Sequence, residues 1–545
     1  MKIFLIQDNF TVADLKNNLN KILFHYENSK NQGADLIVFP ELALTGYLPE
    51  DLLLREDFLE AVALCLEKLI SKVDQIPLIL GCPLKNDQGF LENCALVIQN
   101  QKILFNYAKQ CLPNYGVFDE KRYFSPGNKS VVFQCADDTP KIGLLICEDV
   151  WHLETAEQAK AAGAEVLLSI HASPYALKKE EQRQAVYEKA AQITHLPLLA
   201  TFIVGAQDEL CFDAGARALN AEGKIVVQAP FFQTASLIVE LKKKEDAWII
   251  VPSKEFSPVI YQPIAHLYQS LVVGLRDYIK KNFIPGVVLG LSGGIDSALT
   301  LLIAMDAIGV ENITAVSLPS RYTSDISLQA ITEQVNLTGV ELKTIPIQEI
   351  VNANSQLLTQ AMSKNLSNKT EENIQARCRG LLLMAIANET QKIVLATSNK
   401  SEMVMGYSTL YGDMIGGFAP LKDVPKTSVY QLAYYRNKIK YLIPEIILKR
   451  APTAELAFNQ TDQDSLPPYE ILDEIIDRFI HQQQSMPEIV SAGFDPEVVK
   501  KIIKTLALNE YKRRQSPPGI KITDISFTKE RRYPMTVGSW QENKN

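Results

Sequence analysis

Neither a closely spaced cysteine pair nor a long apolar run occurs in this chain of 545 residues. The eight cysteines contain no CxxC spacing, which speaks against a structural zinc site and favours a reducing compartment. No stretch approaches the roughly 18 apolar residues that a membrane span requires, and the opening MKIFLIQDNF predicts a strand rather than a signal peptide. The net charge of −8 argues against a nucleic-acid-binding surface. These absences predict a cytoplasmic protein that binds neither membranes nor nucleic acid.

The composition is that of a folded protein with more than one domain. Hydrophobic residues make up 47% of the chain and charged residues 22%, which is ordinary for globular proteins, and the length suffices for two separate cores. Residues 242–263 mix a charge run with prolines and show no clear period. We therefore predict domains at 1–245 and 264–545, joined by a linker at 246–263.

Short apolar strands alternate with helical stretches in the first half. Several strands are apolar throughout, as expected when both faces of a sheet are covered. Helices are predicted at 11–28, 55–73 and 179–194. The predicted strands are 2–7, 35–39, 78–81, 94–99, 102–107, 142–147, 166–171, 198–204 and 236–241.

The second half begins a new series of strands and helices. The pattern predicts a doubly wound parallel sheet, in which ligands bind at the C-terminal ends of the strands. Residues 352–373 are polar and rich in asparagine, which indicates a segment that includes a mobile loop. The predicted strands are 287–291, 313–318, 342–347 and 393–397.

A glycine-rich run, GVVLGLSGGIDSALTLLIAMDAIG, occupies residues 286–309. An apolar strand leads into Ser292-Gly293-Gly294, and a helix is predicted to begin at about Asp296. Main-chain N–H groups in such a turn, together with the helix N-terminus, form an anion site that suits phosphate groups. No lysine follows the glycines, so the run is not the GxxxxGK[ST] loop of kinases. An SGG alone would fit an ordinary capped turn, but the full run favours pyrophosphate binding.

This run resembles the signature of the ATP-pyrophosphatase superfamily, which cleaves ATP between the α- and β-phosphates. The resemblance implies that the loop holds the leaving pyrophosphate, with Asp296 as a Mg²⁺ partner. Amidating ligases and tRNA-thiolating enzymes both belong to this superfamily, so the loop leaves the acceptor open. The implied ATP-binding residues of the loop are Gly290, Leu291, Ser292, Gly293, Gly294, Ile295, Asp296 and Ser297.

Three segments of the first half each end a strand with a reactive side chain. LIVFPELALTGY carries Glu41, YAKQCLPNYGVFDE carries Lys109 and IGLLICEDVW carries Cys147. Each alone has an ordinary explanation, as a turn residue, a solvated charge or a small buried hydrophobe. The three together, in this order, favour a catalytic set.

The set resembles the Glu-Lys-Cys triad of the nitrilase superfamily, whose members hydrolyse C–N bonds and fold as α-β-β-α sandwiches. A free thiol has a pKa of about 8.5 and needs a base at neutral pH. By this resemblance Glu41 takes the Cys147 proton and later activates water, and Lys109 offsets the charge of the tetrahedral intermediate. Glu120 is either a supporting carboxylate or a structural ion-pair partner.

Longer stretches narrow the resemblance to glutamine-dependent NAD⁺ synthetases. LPNYGVFDEKRYFSPG and HASPYALKKEEQR are similar to the forms in that family. By that resemblance Tyr115, Ser173 and Lys179 line a glutamine pocket. Lys178 stands where the family often has glycine, which leaves a choice between the two adjacent lysines.

Most of the second half is similar to the same family, in TEENIQARCRG, LATSNKSEMVMGYSTLYGDMIGGFAPLKDV, RAPTAEL and EYKRRQSPPGIKIT. The resemblance implies that Thr397 and Thr453 contact ATP and that Glu402 binds Mg²⁺ and the substrate. Several of the implied residues also have an ordinary explanation. Asn373 and Arg377 fit a pair that braces a helix, Thr397 fits a helix cap, and Lys512 fits a solvated charge run. The residues implied in binding deamido-NAD⁺ are Asn373, Arg377, Glu402, Lys426 and Lys512.

The resemblance therefore predicts a ligase that uses glutamine, ATP, Mg²⁺ and deamido-NAD⁺, with ammonia passed between two sites. Three other functions stay open at this point. They are a glutamine-fed ligase for another carboxylate or a purine, a tRNA-modifying enzyme, and an amidase whose second half binds nucleotide as a regulatory module. The absence of CxxC and the acidic balance count against the tRNA enzyme. The resemblance also suggests a homo-oligomer.

Overall fold

A computed structural model describes residues 1–252, 260–458 and 460–536. It divides the chain into two compact units, Met1–Pro263 and Ile264–Asn545. Of the predicted linker 246–263, residues 253–259 lie outside the described part. The linker prediction is wrong at its start, because Ala247–Val251 is a strand that pairs antiparallel with its predecessor. Within the described residues no helix is long and apolar enough to cross a membrane.

Two sheets lie at the centre of the first unit. Its helices are α1 (Leu15–Asn31), α2 (Glu56–Ile70), α3 (Leu153–Ala161) and α4 (Lys179–Thr194), with 3₁₀ turns at Glu50–Leu54, Glu120–Arg122 and Cys147–Trp151. Its strands are β1 (Lys2–Gln7), β2 (Leu36–Val38), β3 (Leu78–Lys85), β4 (Leu91–Gln99), β5 (Lys102–Ala108), β6 (Val132–Phe133), β7 (Ile142–Ile146), β8 (Val166–His171), β9 (Leu198–Phe202), β10 (Gly205–Gln207), β11 (Leu210–Phe212), β12 (Arg217–Leu219), β13 (Ile225–Gln228), β14 (Ala235–Lys244) and β15 (Ala247–Val251).

Strand order explains how these sheets position side chains. The larger sheet runs β15-β14-β1-β2-β3-β4-β5 and the smaller β13-β12-β9-β8-β7-β6, while β10 and β11 form a separate hairpin. The central pairs β1–β2, β2–β3, β7–β8 and β8–β9 are parallel. Because parallel neighbours end at the same edge, β2, β7 and β8 present their following residues at C-terminal sheet edges.

Alternation along the strands creates two apolar layers. In β1, Ile3 and Leu5 join a core shared with β7, β8 and β9, whereas Phe4 and Ile6 pack with residues of α1 and α2. Each fully buried side chain of this size contributes about 1.5–3 kcal/mol. The result is the predicted α-β-β-α sandwich.

The second unit is built on a four-stranded parallel sheet. Its order is β18-β17-β16-β19, with all pairs parallel, as predicted for a doubly wound domain. The strands are β16 (Val287–Gly290), β17 (Ile313–Ser317), β18 (Glu341–Thr344) and β19 (Ile393–Leu395). The helices are α5 (Pro263–Lys281), α6 (Ile295–Ile308), α7 (Asp325–Thr338), α8 (Gln348–Met362), α9 (Asn368–Thr390), α10 (Lys400–Met405), α11 (Lys426–Ile439), α12 (Glu445–Lys449), α13 (Tyr469–Ile476), α14 (Met486–Ser491), α15 (Pro496–Leu508) and α16 (Glu510–Arg513).

The segment 352–373, predicted to include a loop, is helical for most of its length. Helix α8 extends to Met362 and α9 begins at Asn368, so only five residues separate them. Ser367 caps α9 by accepting a hydrogen bond from the Thr370 N–H. The polar composition reflects a surface helix, because Val351 is the one buried residue of α8.

Two candidate active sites

Cys147 begins a 3₁₀ turn directly after strand β7. Its φ of +45° lies in the left-handed region that residues with a β-carbon rarely adopt, and such outliers concentrate at functional sites. Asp149 fixes this turn, because its carboxylate accepts hydrogen bonds from the Ile146 N–H at 2.9 Å and the Cys111 N–H at 2.8 Å. The thiol is buried at the C-terminal edge of the smaller sheet.

Glu41 and Lys109 meet directly, although 68 residues separate them. Lys109 Nζ donates to Glu41 Oε1 at 2.8 Å and to Glu120 Oε1 at 2.9 Å, with all three side chains buried. Asn93 donates to the same Glu41 oxygen, and the Ala172 N–H donates to the other, each at 2.8 Å. Three hydrogen-bond partners thus hold the Glu41 carboxylate in place, as a positioned base requires.

Electrostatics couple this cluster to the thiol. Burial and then the Glu41 charge raise the pKa of Cys147 well above its ordinary value, while Lys109 opposes the shift. Burial alone would lower the pKa of Lys109, but Glu120 and Glu41 raise it well above its ordinary value. The thiol therefore stays protonated until a base removes its proton, and the lysine stays charged.

Glu120 is both an ion-pair partner and a neighbour of the catalytic cluster. Its Oε1 also accepts a hydrogen bond from the Tyr47 hydroxyl at 3.0 Å. Burial, and the nearby Glu41 charge, raise the pKa of Glu120 from 4.5 to about 7, although Lys109 opposes the shift. The structure therefore shows Glu120 as an ion-pair partner, and a supporting role in catalysis stays a prediction.

We expect the stability of Glu120→Gln, measured relative to the parent, to increase as the pH rises from 5 to 7.5. Between pH 4.5 and about 7 the native carboxyl keeps a proton that the unfolded chain has lost, so the parent loses stability with rising pH through this residue. Glutamine does not titrate. The measurement is the thermal midpoint of variant minus parent at each pH, with the exposed Glu154→Gln as reference. A difference that is flat or falls with pH would contradict this.

The residues predicted to bind glutamine lie around the Cys147 turn. The Tyr115 hydroxyl donates to Glu148 at 3.0 Å, directly beside the nucleophile. Lys179 Nζ lies 4.0 Å above the Trp151 ring, which belongs to the same 3₁₀ turn. Ser173 is buried two residues after β8. Their roles in binding glutamine stay predictions.

Lys178 differs from Lys179 in backbone conformation. Its φ is +63° at the N-cap of α4, which glycine adopts without strain and other residues rarely do. This conformation fits the glycine that the family resemblance implies at this position. A side-chain contact also distinguishes the two lysines, because Lys179 packs on Trp151 and so lies against the Cys147 turn.

The glycine-rich run forms the turn between β16 and α6. The Gly294 N–H donates to Ser292 Oγ at 3.2 Å, and Ser297 Oγ donates to the Gly294 carbonyl at 3.0 Å. Gly293 has a φ of +78°, which turns the chain toward the helix start. The loop therefore has the strand-turn-helix form expected of a phosphate site.

A cavity of about 270 Å³ opens at the C-terminal edge of this sheet. Of the predicted ATP-binding set, only Gly293 is absent from its wall; it lines a neighbouring cavity of about 50 Å³. Glu402 and Lys426 also line the larger cavity. The predicted residues on its wall are Gly290, Leu291, Ser292, Gly294, Ile295, Asp296, Ser297, Thr397 and Thr453.

Gly293→Ala is expected to raise the KM for ATP by about 10- to 100-fold, the equivalent of an overpacking cost of about 1–3 kcal/mol. An added Cβ would lie 2.8 Å from the Ser327 carbonyl oxygen and 3.0 Å from its Cα, so the loop or the start of α7 must shift. Gly339→Ala is the matched control: it ends the same helix, has a φ of +72° and has nothing within 4 Å of an added Cβ. Equal KM values in the two variants would refute the steric explanation.

Two carboxylates converge on one lysine in the larger cavity. Lys426 Nζ contacts Asp296 Oδ2 at 2.5 Å and Glu402 Oε1 at 3.4 Å. Asn399 donates to Asp296 Oδ1 at 2.9 Å and accepts from the Glu402 N–H at 3.0 Å, so it holds both acids in register. Burial, and then the Asp296 charge, raise the pKa of Glu402 to about 8.

These two acids suit Mg²⁺ bound together with a nucleotide. Two carboxylates that face one point favour a positive charge there, and Lys426 supplies one in this structure. The described residues contain no group of three or more metal-ligating side chains, so the protein alone does not form a full metal cage. Mg²⁺ is ordinarily held by one or two carboxylates, substrate phosphates and water, which fits this donor set.

Three predicted dinucleotide-binding residues lie together but outside the cavity wall. The Asn373 side chain accepts from Thr409 Oγ1 at 2.8 Å, and Arg377 Nε donates to the Leu410 carbonyl at 3.2 Å. Lys512 Nζ donates to the carbonyls of residues 406 and 408, at 2.7 and 2.8 Å. All three therefore contact segment 406–410, and their roles stay predictions.

Sequence reasoning missed several polar residues of the cavity wall, among them Arg379 and Asp462. Arg379 Nε donates to the Leu318 carbonyl at 3.0 Å, beyond the end of β17. The Asp462 carboxylate accepts from the Tyr469 hydroxyl at 2.6 Å. Arg379 lies two positions after Arg377 on α9, so the two arginines point to different faces of the helix. Considering both faces of α9 would have made Arg379 a second candidate. The sequence around Asp462 gave no comparable signal.

Comparison with known proteins matches both halves. A carbon-nitrogen hydrolase family model matches residues 2–249, and an NAD synthase family model matches residues 267–516. A glutamine-dependent NAD(+) synthetase of Acinetobacter baylyi is 42% identical over 99% of each chain, and one of Thermotoga maritima is 37% identical over 98% of each. The solved structure of glutamine-dependent NAD+ synthetase from Acinetobacter baumannii in complex with ADP has a TM-score of 0.78, with 40% identity over 98% of each chain.

A carbon–nitrogen hydrolase unit and a nucleotide-binding synthetase unit in one chain define a glutamine-dependent carbon–nitrogen ligase. The full-length relatives settle which one. The chain belongs to the family of glutamine-dependent NAD(+) synthetases. The predictions of family, fold class and enzyme class are thereby confirmed, and glutamine-hydrolysing NAD⁺ synthesis is confirmed as the function of the family.

Proposed function

We propose that this chain makes NAD⁺ from deamido-NAD⁺, with glutamine as nitrogen donor and ATP as energy source, and that the residues predicted above divide the work. The observation that carries the proposal is the pairing of the buried Glu41–Lys109–Cys147 cluster with the Ser292–Ser297 loop cavity in one chain of this family. The products are NAD⁺, glutamate, AMP and diphosphate.

In the first unit Cys147 attacks the side-chain amide carbon of glutamine. Glu41 takes the thiol proton and returns it to the leaving nitrogen, so ammonia departs and a thioester remains. Glu41 then takes a proton from water, whose oxygen attacks the thioester, and glutamate leaves as the thiol regains a proton. Lys109 stabilises the oxyanion in both halves of the reaction.

In the second unit the nicotinate carboxylate attacks the α-phosphorus of ATP. The bond to the β-phosphate breaks, and the N–H groups of the Ser292–Gly294 turn stabilise the departing diphosphate. Ammonia then attacks the acyl-adenylate carbon and loses one proton to solvent, and the C–O bond to AMP breaks, so AMP leaves with the electron pair of that bond. Lys426 supports charge on the phosphates, while Asp296 and Glu402 would hold Mg²⁺, which supplies Lewis-acid stabilisation when bound.

Ammonia must reach the second reaction as NH₃, because ammonium has no free electron pair. Release into water at neutral pH would protonate most of it, so we propose that NH₃ passes through a sheltered path between the sites. Cytoplasmic location, which the eight free cysteines support, and homo-oligomeric assembly stay predictions.

The test is release of AMP and diphosphate by the purified chain with three acceptors: deamido-NAD⁺, xanthosine monophosphate and tRNA. Only deamido-NAD⁺ is expected to stimulate release, with either glutamine or excess ammonium chloride present. Stimulation by another acceptor alone would move the protein to a different ligase reaction. Failure with all three would leave the second half as a binding module.

A further inference from the structure

Lys400 is a fully buried lysine that none of the proposed steps uses. Its side chain is 1% exposed and pairs with Asp423, itself 2% exposed, at 2.7 Å. Its Nζ also donates to Thr523 Oγ1 at 2.7 Å and lies 3.0 Å from His481 Nε2. Burial, and then the Lys400 charge, lower the pKa of His481 to about 4, so the neutral ring accepts this third bond. With the Ile525 carbonyl at 3.2 Å as a fourth acceptor, all three N–H bonds of the ammonium group are satisfied.

The two partners of this ion pair belong to the two segments that supply the charged groups of the cavity. Lys400 precedes Glu402 by two residues, and Asp423 precedes Lys426 by three. The Lys400 N–H donates to the Val424 carbonyl at 2.9 Å, and the Lys426 N–H donates to Ser401 Oγ at 2.9 Å. These contacts and the Lys426–Glu402 pair described above join the two segments, and the Lys400–Asp423 pair is the shorter of the two ion pairs between them.

A third segment, near the end of the described chain, closes the cluster. The N–H groups of Ile522 and Thr523 each donate to Asp423 Oδ2 at 2.8 Å, and Thr523 Oγ1 bonds the same carboxylate at 2.8 Å. Asp423 therefore fixes residues 522–523 and Lys400 at once. None of these residues lines the nucleotide cavity.

We propose that Lys400 is a positioning residue for the ligase reaction: its ion pair with Asp423 sets the separation of Glu402 and Lys426, and so the site for magnesium and the nucleotide phosphates. The physical reason is the low tolerance of a buried, hydrogen-bonded charge for displacement. Moving either segment would leave a charge unpaired in the interior, which is strongly unfavourable. The inference rests on the proposed function.

The experiment compares Lys400→Met with the parent in the full-length chain, by AMP formation with ammonium chloride as nitrogen donor. A misplacement of about 1 Å in such a site can cost about 100-fold. We expect kcat/KM for ATP to fall by about that factor and the half-saturating Mg²⁺ concentration to rise at least tenfold. Glutamine hydrolysis at Cys147 provides a readout in the other unit and should be unchanged.

A purely structural role would give a different result. Loss of folded enzyme lowers kcat in proportion to the folded fraction but leaves the KM for ATP and the Mg²⁺ requirement as in the parent. Lys392→Met is the matched control, since Lys392 Nζ also links two elements, through Thr314 Oγ1 at 2.9 Å, away from the cavity wall. It should keep parental constants.

The double variant Lys400→Met, Asp423→Asn guards against simple misfolding. It removes both charges, so no unpaired charge remains buried, yet it lacks the clamp. Positioning predicts raised KM and Mg²⁺ values in the double variant as well. Parental constants in the double variant, or in a folded Lys400→Met, would overturn the inference. A parent that makes no AMP from deamido-NAD⁺ would instead refute the proposed function.

Discussion

Replacing Cys147 with alanine is expected to abolish glutamine-driven NAD⁺ synthesis and leave synthesis from ammonium chloride intact. Loss of a catalytic nucleophile costs more than about 10⁴-fold, because no other side chain forms the covalent intermediate. The ammonia-driven reaction needs only the second unit, which contains the nucleotide cavity and folds around its own sheet. NAD⁺ formation with each donor, measured side by side, checks this.

The matched control is Cys65→Ala, on helix α2 and away from the cluster. It should behave as the parent with both donors. The division of labour between the units would be wrong if Cys147→Ala, shown to be folded by its parental melting temperature, lost both activities. It would be equally wrong if the variant still hydrolysed glutamine at the parental rate.

Asp296→Asn is expected to lower AMP formation by about 10²- to 10³-fold with either nitrogen donor, which is the range for removing one preorganised charge from a reaction site. Asparagine keeps the size of the side chain and its bond from Asn399. It removes the charge that faces Lys426 and, in our proposal, Mg²⁺. Glutamine hydrolysis without nucleotide should continue at the parental rate, so the two activities respond in opposite ways to Cys147→Ala and Asp296→Asn.

Asp306→Asn on the same helix separates loss of catalysis from loss of structure. Asp306 accepts hydrogen bonds from Tyr268 at 2.6 Å and Arg436 at 2.7 Å. Losing its charge should cost about 1–3 kcal/mol of stability, with AMP formation per folded molecule unchanged. Equal losses of AMP formation in both variants would mean that Asp296 acts through the fold alone.

The catalytic cluster could be predicted from sequence because strand ends place it. Glu41, Lys109 and Cys147 each follow an apolar strand, and β2, β5 and β7 belong to sheets whose cores pack together. Local sequence fixes such a position within a residue or two. Glu120 could not be resolved in the same way, since its pairing with Lys109 depends on how the loop after β5 folds back.

The polar segments were harder to interpret. Residues 352–373 were expected to include a loop and form parts of two helices, because helix formation on a surface needs little apolar content. The strand Ala247–Val251 was assigned to a linker although every second residue, Trp248 and Ile250, is buried against the sheet. Prolines nearby outweighed that alternation in the prediction.

The sequence by itself determined the two chemistries: a thiol with a carboxylate and a lysine at strand ends, and a glycine-rich turn between a strand and a helix. These are local features, set by a few neighbouring residues. Tertiary structure alone decided that Asp296, Glu402 and Lys426 converge on one point and that Lys400 is enclosed by Asp423, His481 and Thr523. Such contacts span up to 130 residues, and their geometry follows from the packing of whole elements, which no local pattern encodes.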